Sequence, residues 1–269
     1  MRSTIMLFIA TWILLLAGCK KNKPDSGGEA VQAFLPQKIT ITGAIEPDLN
    51  GTIQFTYNAN RQITGIRRLA KSGNETLNWT YTYEGKKLTK VRYTLDNALS
   101  SPSHLQTDYT YEYTGDTPVK VTVVFSNNLG ETETMVENVT KPATDRFYIW
   151  TTNYTYTQSG DWAAGSGSLI EGSGITVTYS DKEGVFAHVE KSPVQHFFLD
   201  RKNITYLLLF AKKELATLQV NMPSSTGWAG DYNSIAVERN GQNQILKYTI
   251  KNNTKTYAQF DMEYMTIQL

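Results

Sequence analysis

A single unit recurs along this chain: aromatic or apolar residues alternating with polar ones, a short polar break, then a second apolar run. It is read in TIQFTYNANRQITGIRRL (52–69), LNWTYTYEGKKLTKVRYTL (77–95) and TDYTYEYTGDTPVKVTVVF (107–125), and continues in ITVTYSDKEGVFAHVEKS (175–192) and YNSIAVERNGQNQILKYTI (232–250). Period-two alternation marks a strand with one buried face, because successive side chains leave a pleated backbone on opposite sides. Phe55 and Tyr57, Tyr81 and Tyr83, and Tyr109, Tyr111 and Tyr113 therefore share a face within their strands. Tyr57, Tyr83 and Tyr113 hold one phase at intervals of 26 and 30 residues, the length of a β-hairpin with its connection.

The breaks carry the chemistry of tight reversals. Asn58-Ala59-Asn60, Glu84-Gly85, Thr114-Gly115-Asp116 and above all Asn240-Gly241 offer residues that tolerate positive φ. Successive hairpins with short links place sequential strands side by side, hence an antiparallel meander. One deviation repeats: in Ile63-Thr64-Gly65-Ile66 and Leu88-Thr89-Lys90-Val91 the apolar residues are three apart. They face opposite sides unless a bulge intervenes, so either both faces are covered there or the sheet bends.

Between Val194 and Met222 the rhythm changes. Ile204, Leu207, Leu208, Ala211, Leu215 and Leu218 recur at helical spacing, with Asp200 or Asn203 as N-cap and Pro223 beyond the end. This predicts one short helix near 203–218; a buried strand through Tyr206-Leu207-Leu208-Leu209-Phe210 is the competing reading. The expected fold is all-β, an antiparallel meander of successive hairpins forming a large curved sheet or a partly open barrel, with that helix added.

The amino-terminal residues read as an address. Arg2 precedes an apolar run from Ile5 to Leu16, followed by small Ala17 and Gly18. That is signal-peptide anatomy, and the run is shorter than the about 20 residues a spanning helix needs. Leu16-Ala17-Gly18-Cys19 resembles the lipobox of bacterial lipoproteins. The resemblance implies cleavage after residue 18, diacylglycerol on the Cys19 thiol and acylation of the new terminal amine. It also explains a solitary cysteine: the thiol is an attachment point, and no disulfide framework staples the fold. Two or more acyl chains, at about 0.8 kcal/mol per buried methylene, anchor stably.

The expected organisation is a signal peptide over 1–18, a lipidated tether over 19–36 and one β-meander domain over 37–269. Lys20 stands where an aspartate is associated with inner-membrane retention in Gram-negative lipoproteins, so the resemblance implies the outer membrane. Surface-exported lipoproteins in some lineages carry acidic residues near the cysteine, whereas this tether is basic, so the resemblance implies the periplasmic face; its lysines suit anionic headgroups. The hairpins look like the tyrosine-rich repeats of YD-type proteins, without the Gly-Arg-Leu signature. They look more like envelope lipoproteins of unknown function whose meander has been likened to an opened porin, over roughly residues 50–269.

Charge excludes some partners. Without Arg2 the mature chain balances 25 basic against 25 acidic groups, with no basic block beyond the tether, so there is no footprint for nucleic acid. Aromatic residues make up 12% of the chain, enough for a core without disulfides. Asn-X-Thr sequons at Asn74, Asn78, Asn138, Asn153, Asn203 and Asn252 follow from Thr- and Asn-rich strands and turns.

Motifs of catalysis are sparse. His188 and His196 are eight apart, with Glu190 on the strand face of His188, and His104 lies in a Ser/Pro link; none has metal-ligand spacing. AGSGSLIEGSG (164–174) matches neither a nucleophile elbow nor a phosphate loop. Carboxylate pairs leave no spacing in a sequence, so Asp145, Asp161, Asp181, Glu183 and Asp200 keep open an envelope hydrolase built from fold-assembled acids. Trp162, in GDWAAG, and Trp228 and Tyr232, in GWAGDY, are candidate ligand-stacking residues; the alternative is that they cap sheet ends. The tyrosine ladder reads as core with its hydroxyls reaching solvent at the rim. The expected function is a lipid-anchored, non-catalytic binding or scaffold module. It needs no cofactor or metal, and its partners are the membrane, through lipid, and a glycan, peptide or envelope protein.

Overall fold

The computed structural model describes residues 32–43, 50–143, 146–149, 152–156, 161–166, 174–190, 211–221, 230–232, 234–251 and 256–268. Among them every regular element is a strand. The first run comprises β1 (Gln32–Thr42), β2 (Gly51–Tyr57), β3 (Ile63–Ala70), β4 (Glu75–Glu84), β5 (Lys87–Asn97), β6 (His104–Thr114), β7 (Thr117–Asn127) and β8 (Thr132–Asn138). Then come β9 (Thr140–Ala143), β10 (Arg146–Ile149), β11 (Thr152–Tyr156), β12 (Trp162–Ser166), β13 (Gly174–Glu183), β14 (Lys213–Asn221) and β15 (Gly230–Tyr232). β16 (Ser234–Arg239), β17 (Ile245–Lys251) and β18 (Thr256–Gln268) complete the set.

These strands form two sheets. The larger has 11 strands in the order β16-β17-β18-β1-β2-β3-β4-β5-β6-β7-β8; the smaller has seven, β15 through β9 in sequence. The pairings between consecutive strands are antiparallel, so the smaller sheet is a meander and the larger is two meanders that adjoin at β18 and β1. The larger sheet is open, ending at β16 and β8 rather than closing into a barrel. The chain leaves it at one edge, builds the smaller sheet, and returns at the other edge to set β18 beside β1. By compactness the chain divides into Met1–Ala33 with Ile267–Leu269, and Phe34–Thr266; the second unit holds both sheets apart from the outermost residues of β1 and β18.

The three-residue apolar spacing is resolved by bulges. Thr56 pairs with Gly65 but Tyr57 with Ile63, so Thr64 is an extra residue on β3. Thr89 on β5, Val119 on β7 and Leu246 on β17 are extra in the same way. An inserted residue restores the phase, so residues three apart share a face. Ile63 and Ile66 are 0% and 4% exposed, and Leu88 and Val91 are 0% and 1%. Ile245 and Tyr248 repeat the arrangement, while the extra Leu246 is left exposed.

Two turn designs close the hairpins. Gly85 and Gly115, at φ 60° and 58°, open two-residue loops, as their positions suggest. The Asn58 and Asn240 loops are longer and alike. Asn58 Oδ1 accepts the N–H of Asn60 and Gln62, and Asn240 Oδ1 those of Gln242 and Gln244, all at 3.0 Å. Positive φ falls on the fourth loop residue, Arg61 (62°) and Asn243 (63°), not on Asn240-Gly241 as expected. With an Asx turn fixing the first half of each loop, the left-handed residue comes just before the return strand.

Two further expectations are corrected. Residues 175–192 are not a hairpin: β13 pairs with β12 and β14, and 185–188 form a turn whose Phe186 is 0% exposed. Phe186 meets Phe55 edge-on at 5.3 Å, and Glu190 forms a parallel bridge with Gln62. Truncating such a buried ring to Ala costs about 3–5 kcal/mol. The span 203–218 is not a helix where it is described, because its end forms β14, paired with β13 on one side and β15 on the other. Residues 201–210, with the competing strand 206–210, lie outside the described residues. β1 opens at Gln32, within the stretch expected as tether.

Candidate functional site

Cys19 and Trp228 lie outside the described residues, as do His196, Asp145 and Asp200. Trp162 opens β12 opposite Tyr156, and Tyr232 closes β15 opposite Leu218. β13 and β14 run between them, so their backbones stand three strand spacings apart, about 14 Å.

The tyrosine ladder has a structural use. Tyr83 donates its hydroxyl to the carbonyl of Ile63 at 2.8 Å, Tyr113 to that of Leu88 at 2.8 Å, and Tyr264 to that of Ile245 at 2.9 Å. Each acceptor is the residue just before a bulge. A bulge disturbs the ladder and leaves a carbonyl needing a donor, and the phenol of the next strand supplies it. Tyr57 makes the equivalent bond to Pro36 on β1, at 2.6 Å. The expectation of solvent-reaching hydroxyls is therefore corrected for the ladder residues Tyr57, Tyr83 and Tyr113. Burial raises the pKa of Tyr57, Tyr83 and Tyr264 well above the ordinary phenol range. Tyr81 is 3% exposed, and its hydroxyl has no hydrogen-bond partner among the described residues.

Two of the described carboxylates, Asp161 and Glu214, are buried and committed to the fold. Asp161, 0% exposed, accepts the N–H of Lys212 at 2.6 Å and of Lys213 at 3.0 Å, fixing the start of β14. Glu214, also buried, meets the Arg239 guanidinium, which further donates to the Glu183 carbonyl at 2.8 Å. The Leu215 N–H donates to the Tyr248 hydroxyl at 3.2 Å, so these groups tie β14 of one sheet to β16 and β17 of the other. Burial is the main cause of the raised Tyr248 and Tyr179 pKa values, with the Asp161 charge adding to the second. Asp181 is exposed and its carbonyl accepts Lys213 Nζ at 3.0 Å. His188 lies 3.7 Å from Glu183, and His104, at the start of β6, is 2.6 Å from Asp96. Among the described residues no three His, Cys, Asp or Glu side chains converge as a metal site.

One surface remains unassigned to the fold. Along a single row, Phe55, Ile66, Trp79, Tyr93, Thr107 and Phe125 are register partners. Phe55, Ile66, Trp79 and Thr107 are 5%, 4%, 2% and 6% exposed, and Phe125, at the end of the row, is 37% exposed. The next row runs from Ile53 through buried Arg68, Leu77 and Leu95 to Leu105, and exposure rises from 3% at Ile53 to 36% at Leu105. Beyond that row lie the β5–β6 and β7–β8 loops, opposite the end where Tyr57, Tyr83 and Tyr113 sit. Their tips are Leu99 and Leu129, 79% and 60% exposed.

Both tips are built alike. Asn97 Oδ1 accepts the Leu99 N–H, and Asn127 Oδ1 that of Leu129, each at 2.9 Å. The carbonyls of the same asparagines accept from Ser100 and Gly130 at 3.2 Å, closing β-turns with leucine at the third position. Asn128 joins the loops, its N–H donating to the His104 carbonyl at 3.3 Å and its amide to Ser103 Oγ at 2.9 Å. Sequence reasoning missed this surface. Its signal was Asn-X-Leu at 97–99 and again at 127–129, the 30-residue interval that also separates Tyr83 from Tyr113.

No family model and no curated protein matches this chain. Among solved structures, a porin-like protein from Bacteroides vulgatus aligns at 11% identity with a TM-score of 0.39, covering 86% of this chain and 99% of that one. A similarity of that size does not set a fold; the strand order and registers do so on their own.

Proposed function

We propose that this chain is a lipid-anchored protein of the bacterial outer membrane, held through Cys19 on the periplasmic face. There it acts as a non-catalytic binding or scaffold module that presents a β surface to a glycan, peptide or protein partner. The anchor is supported by Leu16-Ala17-Gly18-Cys19 following an apolar run. The binding role is carried by one observation: Leu99 and Leu129 stand exposed on loops held by asparagine turns and joined through Asn128. Exposed leucines on preformed turns have no folding use, and clustered apolar exposure marks interaction surfaces.

Two measurements test the reading. Cys19→Ser is expected to release the chain from the membrane fraction and abolish labelling by an alkynyl fatty acid; retention in the membrane refutes the anchor. A photo-crosslinking residue at position 129 in intact cells is expected to give a discrete adduct, and one at outward-facing Thr80 none. Absence of any adduct at 129 refutes the binding module.

A further inference from the structure

The leucine-tipped surface has a charge as well as a shape. From Tyr93 to Thr140 the chain carries seven carboxylates, Asp96 to Glu137, against one lysine, Lys120; Asp96, Glu131 and Glu133 lie at the leucine end, whereas Glu112 and Asp116 lie at the opposite, Tyr113 end and pair with Lys120 and Lys87. Lys120 lies 2.5 Å from Glu112, and Arg92, just outside the span, is 2.7 Å from Asp108. Next to the tips, Asp96 pairs with His104, Glu131 accepts from Asn127, and exposed Glu133 stands in register with Phe125. Basic residues at the same end include buried Arg68, which pairs with Glu75 at 2.8 Å, and Lys71 on the β3–β4 turn.

We propose that this surface docks a cationic amphipathic segment of a protein partner. Its apolar side would lie on Leu99, Leu105, Phe125 and Leu129, and its Lys or Arg side chains would meet Glu131 and Glu133. Apolar contact supplies most of the affinity, and charge complementarity selects the partner and speeds encounter. The same acidic field disfavours an anionic bilayer surface or a nucleic acid as occupant. The assignment rests on the reading of the chain as a binding module and is independent of the lipid anchor.

The test uses the detergent-solubilised full chain and two labelled amphipathic helical peptides of about 18 residues, one of Leu and Lys, one of Leu and Glu. By fluorescence anisotropy the Leu/Lys peptide is expected to bind the wild type, with affinity falling as salt is raised, and the Leu/Glu peptide not to bind. L99S/L129S and E131Q/E133Q are each expected to weaken binding by about tenfold or more. All four positions are exposed, so these variants are expected to unfold at the wild-type temperature. Equal binding of the Leu/Lys peptide by wild type and both variants overturns the proposal, as does equal binding of both peptides. Failure of both peptides, with sedimentation showing a dimer that L99S/L129S dissolves, overturns it in favour of self-association. Failure of both peptides beside a positive glycan array overturns it while leaving the binding module standing.

Discussion

Tyr83 donates its hydroxyl to the carbonyl of Ile63, 2.8 Å away on the neighbouring strand. Tyr81, two residues earlier, buries a hydroxyl with no partner among the described residues. The two phenols therefore have opposite energetic signs. Tyr83→Phe is expected to cost about 1 kcal/mol, the net worth of one hydrogen bond, whereas Tyr81→Phe is expected to be neutral or stabilising by about as much. Urea midpoints of the two variants check this; a loss at Tyr81 as large as at Tyr83 contradicts it.

The buried phenols also set an alkaline limit. Tyr57, Tyr83, Tyr248 and Tyr264 have pKa values raised in the fold above the ordinary 10.0. A raised folded value means that the unfolded chain loses protons first, so this contribution is intact below pH 10 and declines as pH rises above it. Part of the tyrosinate absorbance at 295 nm is expected to rise only together with loss of the β-sheet circular dichroism. Complete titration near pH 10 with the sheet intact would rule this out.

Asp161 holds two consecutive backbone N–H groups from a fully buried position. Asp161→Asn removes the charge and turns an amide N–H toward one of those donors. The expected loss is about 2–3 kcal/mol, the range for a charge-assisted bond left unmade. Amide exchange at Lys212 and Lys213 should quicken with it, and unchanged protection there would show that the contact is dispensable.

Glu214 and Arg239 form a buried ion pair between β14 and β16. Arg239→Met strands a carboxylate and is expected to cost about 3–5 kcal/mol, while Glu214→Leu with Arg239→Met restores most of the loss. Thermal unfolding of the double-mutant cycle measures the coupling; simple additivity of the two substitutions is the contrary result.

Gly51 takes φ 151°, and a Cβ there would stand 2.1 Å from the Leu69 carbonyl oxygen. Gly51→Ala must push β2 from β3 at their outer end, so a loss of at least about 2 kcal/mol is expected. A chemical denaturation curve indistinguishable from wild type would show that this end of the hairpin yields freely.

The strands were legible because alternation is local, and the hairpin repeat made their adjacency legible too. The same three-residue spacing had two readings in the sequence: a possible bulge at Ile63 and Ile66, and a helical face at Leu215 and Leu218. In the fold both are bulges. Thr178 pairs with Thr217 and Tyr179 with Leu215, so Ala216 is the extra residue and the two leucines are 5% and 3% exposed. An i, i+3 apolar pair satisfies a helix and a bulged strand equally, and only the partner strand decides between them. The smaller sheet was hidden for another reason: β9 to β12 have four or five residues each, too few to show a period. The leucine tips were overlooked because a lone exposed leucine is ordinary; their significance comes from duplication and from what lies beside them.

Since β18 is the strand that lies between β17 and β1, the two runs of the large sheet are joined through the strand that follows all its others in chain order. Without it, β1 and β17 both present raw edges open to mispairing. The interval before β18 docks is therefore when this fold offers the most template for pairing with a second chain.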